Sequence, residues 1–404
     1  MQNYFYKIKV ETLLKYFFIS SLFFVLLFFV ADFFTVYYKY STAKFIFLDE
    51  RRIFLEKNIL KLSGVTTILI IIGIFLKLRK DIKFYLSDKY LVAFVAIFIT
   101  YNILNGSELR PMFFFGILIT MFIYGIAIKL INQNYIEYNF LRIKKFIIYI
   151  LSIFLLTPLL IHFTHVLLTN EVYYAFEYVP QLYIVDSFRG FTLDRIQYSF
   201  LAGILILFLL FDKKDIKYNK IILGLTIFAI FLAMSRAVIV AIFCALIFYY
   251  IIENKNKSQS IKFIIISIIF ILIAYFVSNR MELFSDGGGR MMLLNHSLDK
   301  IFESGYKSFL FGSGDFYTTY LNGLYPHNSI LQSIMDFGFI ITIFWLFLLY
   351  RFFKILRNQA KVMFIYIFIF GMFHAGFSVF VFMPITLFGY VCVLILNSKE
   401  NINL

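Results

Sequence analysis

Charged residues are scarce in this chain of 404 residues: 15% are Asp, Glu, Lys or Arg, whereas 62% are hydrophobic and 21% are aromatic. A soluble globular protein is about one quarter charged and about half apolar. The apolar excess is larger than a soluble core can bury. The composition therefore indicates an integral membrane protein.

Cysteine is also nearly absent. Cys244 and Cys392 both lie inside apolar runs, so we expect small buried side chains rather than a disulfide or a metal pair. No Cys/His cluster has the spacing of a zinc site, and the polar loops contain no tight carboxylate pair suited to Mg²⁺. The sequence therefore predicts neither a metal site nor a cofactor.

Apolar runs long enough to cross a bilayer are what the sequence has in abundance. They lie at about 13–36, 62–78, 90–105, 112–130, 146–168, 196–211, 263–278, 329–350, 363–380 and 382–397. The run 221–252 is too long for one straight span and is interrupted by "MSRA". We predict two helices there, about 221–234 and 237–252, with Ser235 and Arg236 at the turn. The fold class is therefore an all-α membrane protein of about twelve transmembrane helices, forming a single polytopic domain over 1–404.

The net charge of +15 could indicate a nucleic-acid partner, but its placement argues otherwise. With the N-terminus inside, most basic residues fall in short cytoplasmic loops, as the positive-inside rule expects. The first outside loop, about 37–61, is also basic and is interpreted as partly an interfacial helix. We predict a multi-pass membrane protein that binds membrane lipid and no nucleic acid.

The longest polar stretches, about 169–195 and 279–328, both face outside in this topology. Within 279–328, a predicted large periplasmic loop, glycines 287–289 precede Arg290. Met291, Leu294, Leu298, Ile301 and Phe302 then recur at helical spacing, which predicts an amphipathic helix along the membrane surface. "FGSGD" predicts a turn in which Gly312 and Gly314 permit positive φ.

"GLYPHNSILQ", residues 323–332, places His327 directly before an apolar run. Pro326 favours an extended residue before it, and Asn328 or Ser329 can cap the helix that follows. His327 would then lie at a helix N-terminus, where the partial positive charge favours an anion and a neutral imidazole able to accept a proton. The alternative is a capping turn with an exposed histidine of no special function.

Four arginines lie on the same predicted face: Arg189, Arg195, Arg236 and Arg290. Guanidinium groups match phosphate oxygens in pairs, so several arginines and one histidine at a membrane edge indicate a lipid-linked phosphate or pyrophosphate ligand. Asp186 and Asp194 are expected to pair with the nearby arginines. The alternative for Arg236 is a structural arginine at a helix end whose side chain snorkels to the membrane–water interface.

These motifs resemble the O-antigen polymerase and O-antigen ligase superfamily. "MSRAVIVA", "GGGR", "FLFGSGDF" and "PHNSILQSIMDFGFI" follow one another as the Ser-Arg, Gly-Arg, glycine-turn and His-Asn motifs of that family do. The resemblance covers about 221–345 by motif, and the earlier spans match only in number and hydropathy.

The resemblance implies a GT-C-like membrane glycosyltransferase of the bacterial inner membrane, with its active site facing the periplasm. Such enzymes move a glycan from undecaprenyl pyrophosphate to an acceptor hydroxyl without a metal. By this resemblance, His327 is the catalytic residue, and Arg236 and Arg290 bind pyrophosphate. Arg189 and Arg195 are looser matches for the same role, and Asn328 and Ser235 support the motifs. A chain-length regulator protein is a further partner that the resemblance allows.

Four functions fit these motifs. A polymerase passes the chain onto another lipid-linked repeat unit, a ligase passes it onto lipid A–core, and another polysaccharide polymerase of the superfamily is the third. Pro326 before the histidine and the amide-bearing Gln332 after it resemble the polymerases more. A transporter of lipid-linked oligosaccharides is the fourth, because arginines in a cavity also attract a lipid pyrophosphate. The scarcity of charge at midspan and the absence of a visible repeat argue against it.

Overall fold

The computed structural model describes residues 90, 93, 96–97, 140–169, 176–179, 184–188, 195–211, 218–233, 235–253, 295, 297–299, 301, 303, 305–312, 328–373 and 384–397. The helices are α1 (Phe140–Thr169), α2 (Arg195–Phe211), α3 (Asn219–Ala233), α4 (Arg236–Glu253), α5 (Gly305–Phe311), α6 (Ser329–Ile355), α7 (Asn358–Gly371) and α8 (Pro384–Leu396). Two strands, β1 (Phe176–Val179) and β2 (Ile184–Phe188), follow α1.

Helices occupy each predicted span on which the described residues fall. Two segments, Lys144–Thr164 of α1 and Phe337–Ile355 of α6, are long and apolar enough to cross a membrane by length and composition. The other apolar helices are shorter, at Ile196–Phe211, Asn219–Ala233, Ala237–Ile252 and Asn358–Gly371. The spans predicted at 13–36, 62–78, 112–130 and 263–278 lie outside the described residues, so the number twelve stays a prediction.

The hairpin of β1 and β2 departs from the all-α prediction. The strands pair antiparallel, with Phe176 opposite Phe188 and Val179 opposite Ile184, and the register is irregular between Glu177 and Val179. Aromatic and β-branched residues on both sides of Pro180 suit such a pair. This part of the predicted outside loop 169–195 is therefore ordered by backbone hydrogen bonds.

The chain forms two compact units. The first contains Met1–Lys77, Glu137–Ile242 and Leu387–Leu404, and the second contains Leu78–Ile136 and Phe243–Thr386. The boundaries pass through α4 and α8. The single polytopic domain over 1–404 stays a prediction.

In the first unit, α2 packs against both α1 and α3, which also contact each other. The Tyr198 hydroxyl on α2 donates a hydrogen bond of 2.8 Å to the Leu155 carbonyl on α1. Pro158 lies inside α1 and lacks the N–H that the helical carbonyl of Phe154 would normally receive. The bond from Tyr198 thus joins the two helices at the turn that the proline weakens.

The start of α3 lies beside the end of α2. The Asn219 side-chain amide donates a 3.0 Å hydrogen bond to the carbonyl of Leu209. This carbonyl lies in the last turn of α2, where no backbone N–H of the helix is available to it. The helices have 17 and 15 residues and therefore similar lengths. The bond between the start of α3 and the end of α2, together with the packing of the two helices, indicates an antiparallel pair, so we infer that Arg195 and Ala233 lie at the same end.

The break predicted within 221–252 is confirmed. Helix α3 ends at Ala233 and α4 begins at Arg236. The carbonyl of Ser235 accepts a 3.2 Å hydrogen bond from the Ile239 N–H, so Ser235 opens the first turn of α4. Ser235 itself is buried.

In the second unit, α6 is kinked. Gly338 has φ +85° and ψ 168°, so the segment 329–337 and the segment after it are two helices that meet at this glycine. The carbonyl of Gly338 accepts a 2.8 Å hydrogen bond from the Thr342 hydroxyl. The run predicted over 329–350 is thus helical but divided by this kink, and its part that is long and apolar enough to cross a membrane, by length and composition, is Phe337–Ile355.

Candidate functional site

The start of α6 carries the His-Asn motif. Asn328 has extended backbone angles (φ −141°, ψ 118°), and its side-chain oxygen accepts 3.0 Å hydrogen bonds from the N–H groups of Ile330 and Leu331. Those two donors have no partner within the helix. Of the two predicted caps, Asn328 is the one that forms, and His327 is the residue directly before it in the chain.

Ser329 connects this segment to α7. Its hydroxyl donates a 2.8 Å hydrogen bond to the carbonyl of Gly371, and the hydroxyl of Ser333 donates one of 2.8 Å to the carbonyl of Ser329. A straight α6 of 27 residues would extend about 20 Å beyond the 14 residues of α7. The contact therefore shows that the kink at Gly338 turns the segment 329–337 back toward the end of α7.

The glycine turn packs directly on this kink. An added Cβ at Gly338 would lie within 2.5 Å of backbone atoms of Leu310, Phe311 and Gly312 at the end of α5. Gly312 has φ +77°, as predicted for "FGSGD", and its N–H donates a 2.7 Å hydrogen bond to the Ser308 carbonyl. Gly314 lies outside the described residues. Two motifs that are separated in the sequence thus meet through backbone atoms.

A small apolar cluster packs beside the contact between α5 and the kink of α6. Ile301 and Met335 are buried, and Phe309, Leu331 and Ile334 pack against them. Residues 297 and 301 are buried, whereas residues 295, 299 and 303 are exposed, all of them in helical conformation. The buried pair is Ser297 and Ile301, the exposed residues are polar, and Ile301 is the one that packs on Met335 of α6. The predicted apolar residue Leu298 is half-buried.

Two predicted arginines begin helices at one end of the first unit. Helix α2 starts at Arg195, and α4 starts at Arg236, two residues after the end of α3. Because α2 and α3 are antiparallel, these two starts lie at the same end. Helix N-termini carry partial positive charge and N–H groups that point outward, so this end of the unit suits an anion.

The remaining predicted site residues, Arg189, Arg290 and His327, lie outside the described residues. Their convergence with Arg236 stays a prediction. Among the described residues, no three His, Cys, Asp or Glu side chains are grouped as metal ligands, and independence of a metal also stays a prediction.

Two features of the site were not predicted from the sequence. The kink at Gly338 has a signal in "DFGF", since a lone glycine in an apolar run costs helix stability unless the backbone needs it. The complete burial of Gln332, 2% exposed, has no sequence signal.

Comparison with models of known protein families, with curated proteins and with solved structures finds no match.

Proposed function

We propose that the chain is a metal-independent membrane glycosyltransferase that acts as an O-antigen polymerase. It transfers an undecaprenyl-pyrophosphate-linked glycan onto a lipid-linked repeat unit at the periplasmic face of the bacterial inner membrane. The proposal rests on the order of the four motifs and on the geometry of the described residues around two of them, Ser235-Arg236 and Asn328.

Exposed apolar stripes on three helices support the membrane location. On α1, Ile153, Leu160 and Leu167 recur every seven residues and are 67%, 61% and 82% exposed. Exposed apolar side chains recur on one face of α3 and of α6 as well: Ile221, Leu225 and Phe228, and Phe339, Ile343 and Phe347. Water disfavours contiguous apolar faces of this size, whereas acyl chains cover them without cost.

The observation that carries the proposal is that a new helix, α4, begins at Arg236. Two helices, α2 and α4, begin at the same end of the first unit, and an arginine is the first residue of each. We propose that a pyrophosphate group binds at this end, where two helix N-termini offer N–H groups and where Arg195 and Arg236 supply positive charge. The charge needed to hold it is therefore available without a divalent cation.

The chemistry follows from the leaving group. The acceptor hydroxyl attacks the anomeric carbon of the donor sugar, a new glycosidic C–O bond forms, and the bond from that carbon to the pyrophosphate oxygen breaks. The hydroxyl proton passes to His327, and the negative charge that develops on the departing pyrophosphate is stabilised by Arg236, Arg195, Arg290 and Arg189. The cap at Asn328 holds the chain directly after His327.

Deletion of the gene in its host tests the function. Loss of a polymerase leaves lipopolysaccharide that carries a single repeat unit, which an electrophoretic gel resolves. Lipopolysaccharide without any repeat unit would instead show a ligase, and an unchanged ladder would contradict both functions. Transfer by the purified chain should continue in EDTA; a loss that Mg²⁺ restores would contradict metal independence.

A further inference from the structure

Gln332 is a buried amide that has no hydrogen-bond partner among the residues that the structure describes. Its side chain is 2% exposed, and within that part of the chain neither its carbonyl oxygen nor its amide nitrogen is bonded. Burying an amide without a hydrogen bond is unfavourable, so native proteins rarely retain one unless another group or a ligand satisfies it.

Three polar side chains near Gln332 have hydrogen-bond partners. Asn328 caps two backbone N–H groups, Ser329 bonds the Gly371 carbonyl, and Ser333 bonds the Ser329 carbonyl. Gln332 lies among them and has the longest side chain, with one acceptor and two donor hydrogens. The missing partner of Gln332 therefore does not reflect poor packing of this turn.

The position of Gln332 directs its amide toward the His-Asn end of α6. The backbone N–H of Gln332 donates a 3.0 Å bond to the carbonyl of Asn328, so the two residues lie one turn apart on the same helix face. Side chains on a helix lean toward its N-terminus and cover the preceding turn. We therefore expect the amide of Gln332 to lie over the turn that Asn328 begins.

We propose that Gln332 binds a sugar ring of the lipid-linked substrate and orients it at the turn of α6 that Asn328 caps. An amide offers a donor and an acceptor side by side, which matches adjacent hydroxyl or acetamido groups on a pyranose. An apolar polyprenyl chain offers neither, and a pyrophosphate offers acceptors only. This inference rests on the proposed function and adds the part of the substrate that Gln332 recognises.

Thermal unfolding of the full chain in lipid nanodiscs, followed by the fluorescence of Trp345, tests the proposal. Trp345 is the single tryptophan and is buried in α6. The probes are lipid-linked repeat units extracted from the deletion strain and undecaprenyl pyrophosphate without sugar. For Gln332→Met we expect affinity for the glycan-bearing lipid to fall by about tenfold to a hundredfold, because a site built to hydrogen-bond a substrate loses its polar partner.

The same variant should keep its affinity for undecaprenyl pyrophosphate and should unfold at or above the wild-type temperature. Thr226→Ala in α3 is the matched control, since Thr226 is buried but already bonded to the Ile222 carbonyl at 2.7 Å. That variant should lose some stability and no affinity.

Unchanged affinity of Gln332→Met for the glycan-bearing lipid would overturn the proposal and would indicate a buried water on the amide. Equal losses for both lipids, or a lower unfolding temperature without ligand, would also overturn it, because the residue would then be structural. Failure of the wild-type chain to bind either lipid would contradict the proposed function itself, and the assignment of Gln332 would fall with it.

Discussion

The hydroxyl of Ser329 donates a 2.8 Å hydrogen bond to the carbonyl of Gly371, which joins the first residue of α6 to the last residue of α7. This bond is possible because Gly338 turns the segment 329–337 back from the axis of α6. The segment that follows the His-Asn motif is therefore positioned by α7 and by the end of α5 rather than by the apolar part of α6.

Ser329→Ala should lower both stability and transfer. It removes the donor and leaves the buried Gly371 carbonyl with one bond fewer, at a cost of about 1–3 kcal/mol. Unfolding monitored by Trp345 fluorescence measures the loss. Ser333→Ala is the matched change, and it should cost less because its partner, the Ser329 carbonyl, lies inside a helix that can supply a backbone donor. Equal stability of Ser329→Ala and wild type would contradict the role given to the bond.

Gly338→Ala should abolish stable assembly of the second unit. The new Cβ would collide with backbone at Leu310 and Phe311, and alanine is strained at φ +85°. We expect a loss of more than about 3 kcal/mol, combining strain and overpacking. The amount of folded protein recovered from membranes and its unfolding temperature both report this.

Gly224→Ala provides the control for that substitution. Gly224 lies within α3, and a Cβ there would have no atom within 4 Å. Alanine is the better helix former by roughly 0.5–1 kcal/mol, so this variant should be at least as stable as wild type. Similar stability of the two variants would contradict the close packing of α5 on the kink.

Asn328→Ala should destabilise the start of α6 by about 1 kcal/mol, because the N–H groups of Ile330 and Leu331 lose their acceptor. Asn328→Asp keeps an acceptor oxygen and adds a charge that the helix N-terminus favours, so its stability should match wild type. The comparison is again made by thermal unfolding. An alanine variant as stable as the aspartate variant would show that the cap is unimportant.

Tyr198→Phe should weaken the contact between α1 and α2. The Leu155 carbonyl loses its 2.8 Å bond beside Pro158, and we expect a loss of about 1–3 kcal/mol. Tyr306→Phe, at a side chain that is 89% exposed, should change stability little. If the two variants unfold at the same temperature, the hydrogen bond of Tyr198 does not stabilise the first unit.

Local signals in the sequence were sufficient for some elements. The polar pair Ser235-Arg236 inside a long apolar run predicts a break because an apolar helix would otherwise bury the charge, and the break forms there. Asn328 before an apolar run predicts a cap because of its side-chain oxygen. Both predictions depend on residues close together in the chain.

Features that depend on distant contacts were missed. The sharp turn at Gly338 is set by the backbone of α5, more than twenty residues earlier, and hydropathy alone predicts one straight helix through it. The burial of Gln332 depends on how the segment 329–337 lies beside its neighbours. The hairpin of β1 and β2 is a local feature, but the sequence predicts a loop there because the strands have only four and five residues.

Glycan transfer by His327→Ala and Arg236→Ala tests the central claim most directly. Each purified variant is incubated with lipid-linked repeat units from the deletion strain, and polymer is separated by gel electrophoresis. Alanine is a good helix former, so α4 should still begin at position 236 and both variants should unfold like wild type. The account predicts polymer from the wild-type chain and none from either variant; wild-type amounts of polymer from either one would contradict it.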